Sequence, residues 1–232
     1  MVTCEQEPEP LTVDSVIYGY VQLYWPSQGE HTNIKVTVSG PYGQQSITVD
    51  DTGNFTFTGL GNGTYSLEYA QEGYGTIRQH GIQLFGNDTV QAGSIYLFKK
   101  VGTYKMPDFI NAYFAEHNQS PYLWIETDLS RDDFAMGIPA MLFFSRESDV
   151  SFENYEFSFP AWDYLFNYVE VPTIFVNPYI LPFESGEKIY ITGYVCNYYE
   201  YSFNYLDTYL GRRIYSTLDP SRHSNVISIT IP

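Results

Sequence analysis

Apolar and polar residues alternate with a period of two along much of this chain, most clearly between residues 48 and 67. In this segment Phe55, Phe57, Tyr65 and Leu67 occupy odd-numbered positions, and threonine or serine side chains lie between them. Successive side chains of a β-strand point to opposite faces, so the pattern predicts two half-buried strands. The glycines and the asparagine at residues 59–63 accept a positive φ and therefore favour a turn. We predict a β-hairpin here, with an apolar inner face and a polar outer face.

The same alternation predicts short strands throughout the rest of the chain. In the first half they cover residues 16–25, 34–39 and 47–49, with two more around 82–84 and 95–97. In the second half they cover residues 109–115, 122–129, 140–145, 155–159, 172–176, 188–197 and 225–231. Amphipathic helix patterns are missing, and no run of about 18 apolar residues predicts a transmembrane helix. The predicted fold class is all-β.

The length of 232 residues suits one large domain or two ordinary ones. A short polar joint with a glycine, at residues 99–102, separates a first domain at 11–100 from a second at 103–232. Short strands at this spacing are typical of β-sandwiches of about 100 residues. Residues 1–10 contain two prolines and three glutamates without apolar periodicity, which predicts a disordered acidic tail.

The first domain carries a motif of glycines and aromatic residues at fixed spacing. Its residues are Thr48, Asp51, Gly53, Phe55, Phe57, Leu60, Gly63, Tyr65 and Leu67, followed by Gly73 and Tyr74, and preceded by Gly19, Val21, Ile34, Val36 and Val38. The pattern resembles the carboxypeptidase regulatory-like domain, a small prealbumin-like β-sandwich, over residues 12–99. The resemblance implies an accessory or adhesive module without catalytic residues.

The end of the second domain has a related pattern. A turn at residues 185–187 leads into Ile189, Ile191, Gly193 and Val195, and a final apolar strand closes the chain. This arrangement resembles fibronectin type III and other immunoglobulin-like sandwiches, although Tyr190 is one step out of phase with the family's tyrosine. We therefore expect two consecutive β-sandwich domains, the first prealbumin-like and the second immunoglobulin-like.

The amino terminus reads Met-Val-Thr-Cys before the acidic residues. It resembles the end of a bacterial lipoprotein signal, with Cys4 as the lipidated residue, and the acidic segment resembles the export tags of Bacteroidetes surface lipoproteins. No charged or apolar signal region precedes Cys4, which departs from that pattern. The resemblance implies an outer-membrane-anchored protein of the cell envelope that touches the membrane only through a lipid at Cys4. The other cysteine, Cys196, gives no disulfide framework.

The net charge and the aromatic content of the chain indicate which classes of partner it binds. The 27 acidic residues outnumber the 11 lysines and arginines, for a net charge of −16, and such a chain repels phosphate backbones. We expect no nucleic-acid binding. The 23 tyrosines offer flat rings with a hydroxyl, which suit contacts to sugars or protein partners.

Aromatic residues concentrate at two places. Tyr122 and Trp124 alternate with aliphatic residues on one predicted strand, and residues 198–224 form an unusually long aromatic connection between two strands. The candidate ligand-binding residues are Tyr122, Trp124, Tyr199, Tyr201, Tyr205 and Tyr209. The alternative is that these rings pack within the sheets, since a chain this rich in tyrosine must bury many of them.

Catalytic and metal-binding motifs are mostly absent. The sequence has no Gly-x-Ser-x-Gly, no phosphate-binding glycine loop and no His-Glu-x-x-His, and its four histidines are far apart. Two groups of acidic residues have both a functional and a structural interpretation. A carboxylate pair for hydrolysis would use Glu126 and Asp128, which an ordinary outward strand face also explains. A calcium site would use Asp50 and Asp51 with Asn54, which ordinary turn chemistry also explains. We expect no catalytic residue, metal or cofactor.

These observations favour a non-catalytic surface binding or adhesion module that recognises a glycan or an envelope protein through exposed aromatic residues. One alternative is a glycan-active hydrolase that uses paired carboxylates. Another is a structural subunit of a surface complex that exchanges strands between protomers.

Overall fold

A computed structural model describes residues 14–24, 31, 33–100, 106–117, 119–128, 140–161, 173–197 and 204–232. Within these ranges the chain forms β-strands and one short 3-10 turn. The described residues include no helix that is long and apolar enough to cross a membrane. They divide into two compact units, one within Met1–Leu97 plus Leu206–Arg212 and one within Phe98–Tyr205 plus Arg213–Pro232.

The first unit contains seven strands in two sheets. The strands are β1 (Ser15–Tyr24), β2 (Lys35–Gly40), β3 (Gly43–Thr48), β4 (Asn54–Leu60), β5 (Gly63–Ala70), β6 (Ile77–Leu84) and β7 (Thr89–Phe98). One sheet has the order β4-β1-β7 and the other the order β3-β2-β5-β6. Alternate side chains of both sheets are buried, for example Ile17, Val36 and Leu67. The period-two alternation thus produces two half-buried sheets that share one core.

The predicted hairpin at residues 48–67 is wrong in its pairing. Both strands form as expected, and Phe55, Phe57, Tyr65 and Leu67 are all buried. However, β4 pairs with β1 and β5 pairs with β2 and β6, so the two strands lie in different sheets. Two apolar inner faces can pack across a core as well as side by side, and the alternation does not distinguish these arrangements.

The second unit also contains two main sheets. Its strands are β8 (Phe109–His117), β9 (Ser120–Thr127), β10 (Ala140–Ser145), β11 (Phe157–Pro160), β12 (Thr173–Val176), β13 (Lys188–Val195), β14 (Tyr205–Asp207), β15 (Arg212–Ile214) and β16 (Ile227–Thr230). The sheet orders are β12-β9-β8 and β11-β10-β13-β16, with β14 and β15 as a separate two-stranded sheet whose tip, Leu206–Arg212, belongs to the first unit. The 3-10 turn spans Pro178–Ile180.

Every residue of β10 is buried, because the strand packs on both faces. Leu142 and Phe144 belong to the core between the two main sheets. Met141 and Phe143 belong to a second apolar cluster on the opposite face, together with Tyr215. Buried rings therefore account for part of the tyrosine content.

The prediction of an all-β protein with two consecutive sandwiches is confirmed. The tip Leu206–Arg212 is the exception to a simple division near residue 100, since a segment of the long aromatic connection belongs to the first unit.

Candidate functional site

Tyr122 and Trp124 lie on the outer face of β9, opposite the buried Leu123 and Ile125. Both are half-buried. The Trp124 ring lies parallel to Tyr113, with centroids 5.9 Å apart, and its indole N–H donates to the carbonyl of Ala115 at 3.3 Å.

Phe175 and His117 complete this aromatic face. Phe175 meets Trp124 edge to face at 4.3 Å and is itself only 3% exposed. His117 lies 6.0 Å from Tyr122 and 6.1 Å from Trp124. The predicted aromatic face therefore exists, but its rings pack against one another, so little flat ring surface faces outward for a ligand.

The aromatic connection distributes its tyrosines among different environments. Tyr205 is half-buried, and Tyr215 is buried with its hydroxyl 2.5 Å from Ser158 Oγ. Tyr209 is 83% exposed, and its ring lies 5.8 Å from His80 in the first unit. Tyr199 and Tyr201 lie outside the described residues, as does Cys4.

The candidate carboxylates have structural partners. Glu126 accepts a hydrogen bond from the Tyr113 hydroxyl at 3.1 Å, and Asp128 accepts one from the Asp108 backbone at 2.8 Å. Glu126 lies on the same face as Trp124, whereas Asp128 follows the end of β9 and closes the pairing with β8.

Asp50 forms the turn before β4. One of its oxygens accepts hydrogen bonds from both the backbone and the hydroxyl of Thr52 and from the backbone of Asn54. The Thr52 hydrogen bond and then that of Asn54 lower the pKa of Asp50. No group of three or more potential metal ligands occurs among the residues that the structure describes.

A further candidate site is a cavity of about 400 Å³ in the first sandwich, here called the Tyr42 cavity. It is lined by the β2–β3 turn, the 60–63 loop between β4 and β5, and the core residues next to them. Its lining includes two tyrosine rings, Tyr42 and Tyr65, and two side-chain amides, Gln45 and Asn62.

Two glycines allow the two tyrosine rings to occupy this site. A Cβ atom at Gly61 would collide with the Tyr42 ring, and one at Gly40 would collide with the Tyr65 ring. Tyr42 is 75% exposed, so the ring rests on the backbone of the loop with much of its surface facing outward. Tyr65 is buried and donates its hydroxyl proton to the Gly61 carbonyl at 2.9 Å.

The polar groups of the cavity are uncharged. Burial, with a smaller effect of the nearby Tyr42, raises the pKa of Tyr65, so its hydroxyl stays protonated. Asn62 Oδ1 accepts from the Gly86 backbone at 2.7 Å, and this bond orients the amide. Gln45 pairs directly with Val38 across β2 and β3, which places both side chains on the same face of the sheet.

Neither the Gln45 side chain nor the Asn62 amide nitrogen has a hydrogen-bond partner among the described residues. The site therefore combines one exposed ring with donors and acceptors that carry no charge. This is the composition of a pocket for a small neutral polar ligand.

The glycines and the asparagine at residues 59–63 predicted a turn, but nothing in the sequence joined that turn to residues 40–43 as one site. One signal was present, because Tyr42 is an aromatic residue at the tip of a Gly-Pro-Tyr-Gly turn, where no core contact requires it. The second half of the site could not be found, since the two loops meet only through the arrangement of the two sheets.

No family model and no curated protein sequence matches the chain. A solved DUF3823 family protein from Bacteroides uniformis aligns over 94% of this chain and 100% of its own, at 12% identity and a TM-score of 0.31. A proposed carbohydrate-binding protein from the same species aligns over 94% and 99%, at 9% identity and a TM-score of 0.29.

A type II cohesin–X-dockerin complex from Acetivibrio cellulolyticus aligns over 37% of this chain at 15% identity and a TM-score of 0.31. The alignment spans 58% of that structure's chain, which is less than two thirds of its length. Similarities of this size identify neither a family nor a function for the chain.

Proposed function

We propose that the protein is a surface binding module whose first sandwich binds a neutral saccharide in the Tyr42 cavity. The observation that carries the proposal is the exposed Tyr42 ring beside the amide groups of Gln45 and Asn62 around a space of about 400 Å³. Ligand pockets for small molecules fall in the range of about 300–1,000 Å³.

Sugar chemistry fits this arrangement. The C–H face of a pyranose ring is apolar and packs on a flat aromatic ring, whereas its hydroxyls need both donors and acceptors. Gln45 and Asn62 provide donors, and the Gln45 carbonyl provides an acceptor. Gly61 has no Cβ, which leaves room for the Tyr42 ring to lie against the loop beside these amide groups.

The domain family of the first unit and the attachment of the protein to the cell are proposed as well. We propose that the first unit is related to carboxypeptidase regulatory-like domains, on the basis of its glycine and aromatic motif. We also propose display at the cell surface through a lipid on Cys4, on the basis of the amino-terminal resemblance. Incorporation of a fatty-acid label into the protein in a bacterial host, lost in Cys4→Ala, tests the anchor.

Glycan-array binding followed by calorimetry tests the saccharide proposal. We expect Tyr42→Ala to weaken binding about tenfold or more, equivalent to ~1.4 kcal/mol, because it removes the stacking surface. The matched control is Tyr179→Ala, since Tyr179 is 80% exposed on the 3-10 turn of the second unit and lines no described cavity.

Each outcome bears on the proposal. Binding that is lost in Tyr42→Ala and retained in Tyr179→Ala supports it. Binding that is unchanged in Tyr42→Ala but lost in Trp124→Ala would transfer the site to the aromatic face of the second unit. Absence of binding to any glycan would refute saccharide recognition by the soluble chain.

A further inference from the structure

A second cavity, of about 300 Å³, lies on the outer face of the sheet β3-β2-β5-β6 and is here called the Tyr209 cavity. Two of its lining residues, a serine and a histidine, form a chain of contacts with a buried aspartate behind them. Ser66 Oγ is 2.8 Å from His80 Nδ1, and His80 Nε2 is 3.2 Å from Asp207 Oδ2. All three residues and Tyr209 belong to the first unit.

Strand geometry explains the positions of Ser66 and His80. Ser66 points outward from β5 because its neighbours Tyr65 and Leu67 point into the core. The pairing of β5 with β6 shifts by one residue beside Ser66, and Gly81 there has a φ of 79°, which only glycine adopts readily. Such a bulge redirects the adjacent side chain, here His80.

Asp207 is held as a carboxylate. Its side chain is 2% exposed, and its Oδ1 accepts hydrogen bonds from the backbones of Tyr209 and Leu210, both at 2.9 Å. Burial by itself raises the pKa of Asp207, but the Leu210 hydrogen bond and the contact with His80 outweigh it and lower the pKa below its usual value.

This carboxylate determines which ring nitrogen carries the proton when the His80 imidazole is neutral. An ionised Asp207 can only accept, so the ring proton of neutral His80 resides on Nε2. Nδ1 then carries the lone pair and accepts the proton of the Ser66 hydroxyl. In a serine nucleophile with a histidine base, the base accepts the hydroxyl proton and a carboxylate orients the base, and the three side chains here are hydrogen-bonded in that order.

We propose that Ser66 is the nucleophile of an acyl-transfer site, with His80 as its base and Asp207 as the positioning residue, and that the site hydrolyses small esters. Ser66 Oγ bonds to the ester carbonyl carbon while its proton moves to His80 Nδ1. The carbon–oxygen bond to the alcohol then breaks, and the alcohol leaves with that proton.

Water completes the cycle. It gives a proton to Nδ1 and attacks the acyl-Ser66 carbonyl, the acid leaves, and the proton returns to Ser66 Oγ. Arg78 and Glu68 line the same cavity and are ion-paired at 2.8 Å, so together they add no net charge to its wall.

The cavity has room for a small ester at the reacting serine. Its volume of about 300 Å³ holds a short acyl group with a compact alcohol. The exposed Tyr209 ring, tilted by 34° to the His80 ring, provides an apolar contact beside the reacting atoms. This activity uses a cavity other than the Tyr42 cavity, so it stands or fails independently of saccharide binding.

A fluorophosphonate probe tests the proposal, because it reacts covalently with activated serines and leaves ordinary hydroxyls unmodified. The folded full chain is incubated with the probe, and peptide mapping by mass spectrometry locates the adduct. We expect a single adduct on Ser66, and hydrolysis of 4-nitrophenyl acetate that stops as the adduct forms.

Variants separate catalysis from structure. Ser66→Ala should abolish the adduct, and His80→Gln should slow its formation about 100-fold or more. The matched control is Ser46→Ala, since Ser46 lies on the same sheet with its hydroxyl 2.9 Å from Thr37 and has no histidine beside it. Circular dichroism verifies that each variant is folded.

The result that overturns the proposal does not depend on any variant. If the folded wild-type chain gives no adduct on Ser66, or reacts no faster there than after denaturation, the three residues form only a structural hydrogen-bond network. Labelling that is equally fast in a folded His80→Gln variant would also refute the assigned role of His80.

Discussion

At the scale of single residues, neighbouring glycines have different structural roles in this protein. Gly40 and Gly61 both make room for a tyrosine ring, but the ring beside Gly40 is buried and the one beside Gly61 is largely exposed. A buried ring has no alternative position in a packed core, whereas an exposed one can rotate away. Gly40 therefore affects the stability of the fold, whereas Gly61 affects the geometry of the Tyr42 cavity.

Alanine substitutions at these two glycines should affect different properties, the stability of the first unit at Gly40 and saccharide binding at Gly61. We expect Gly40→Ala to destabilise the first unit by about 1–3 kcal/mol, because the buried Tyr65 ring must shift. Gly61→Ala should change stability by less than about 1 kcal/mol yet abolish saccharide binding, because Tyr42 leaves its place. Urea unfolding and calorimetric titration check the pair. Loss of stability in Gly61→Ala equal to that in Gly40→Ala would contradict this interpretation.

The buried Asp207 carboxylate makes part of the stability dependent on pH. Its pKa is lower in the folded protein than the unfolded value of about 3.9, so its contribution is complete above that value and disappears as the pH falls through the folded pKa. We expect Asp207→Asn to destabilise the protein by about 1–3 kcal/mol at pH 7, with the difference from wild type shrinking as the pH falls below about 3.9. Thermal unfolding measured from pH 7 down to pH 2 would show whether the two curves converge.

At the scale of elements, alternation alone was enough to predict most strands. Each of the seven strands predicted in the second half overlaps a strand of the structure, and Ala140–Ser145 has the predicted bounds. The partners of a strand were harder to predict, as the pairing of β4 with β1 shows. Alternation reports which face of a strand is buried and contains no information about the neighbour across the sheet or across the core.

The candidate sites were less predictable than the strands for the same reason. Tyr122, Trp124 and Tyr209 were visible as aromatic residues on strand faces or in a long connection. Their surroundings were not, since the stacking of Tyr113 on Trp124 depends on strand register. Ser66 and Asp207 are separated by more than half of the chain, so no sequence motif could join them.

The fully buried strand β10 should tolerate truncation poorly. The Phe143 ring meets Tyr155, Tyr194 and Tyr215 edge to face at 5.0, 5.5 and 5.2 Å. We expect Phe143→Ala to destabilise the second unit by about 3–5 kcal/mol, because a cavity forms and three aromatic contacts are lost. Guanidinium titration measures the free energy of unfolding of both variants. Tyr179→Ala, at an exposed ring, should lower it by less than about 0.5 kcal/mol. Equal midpoints for the two variants would show that this cluster is not a core.

At the scale of the whole molecule, a net charge of −16 makes every interaction with a charged partner sensitive to salt. The Tyr42 cavity, in contrast, is lined by uncharged residues. The ionic-strength dependence of binding therefore distinguishes a neutral ligand in this cavity from a basic partner attracted by the overall field.

Raising the salt concentration should leave saccharide binding nearly unchanged. Between 50 and 500 mM sodium chloride, we expect the dissociation constant to vary by less than about twofold, because no ion pair contributes to the cavity. Isothermal titration at several salt concentrations measures this directly. A tenfold loss of affinity would indicate a cationic ligand or partner instead.

The order of strands in the first sandwich also has a consequence for the time course of folding. β1 lies at the centre of its sheet, between β4 and β7, so both of its edges are paired only after β7 has been synthesised. Contacts of such long sequence separation slow folding, and sandwiches of this kind fold in milliseconds to seconds. On the ribosome, the edge of β1 that pairs with β7 keeps its N–H and C=O groups unpaired until β7 has emerged, which is the interval in which a chaperone would protect this chain most effectively.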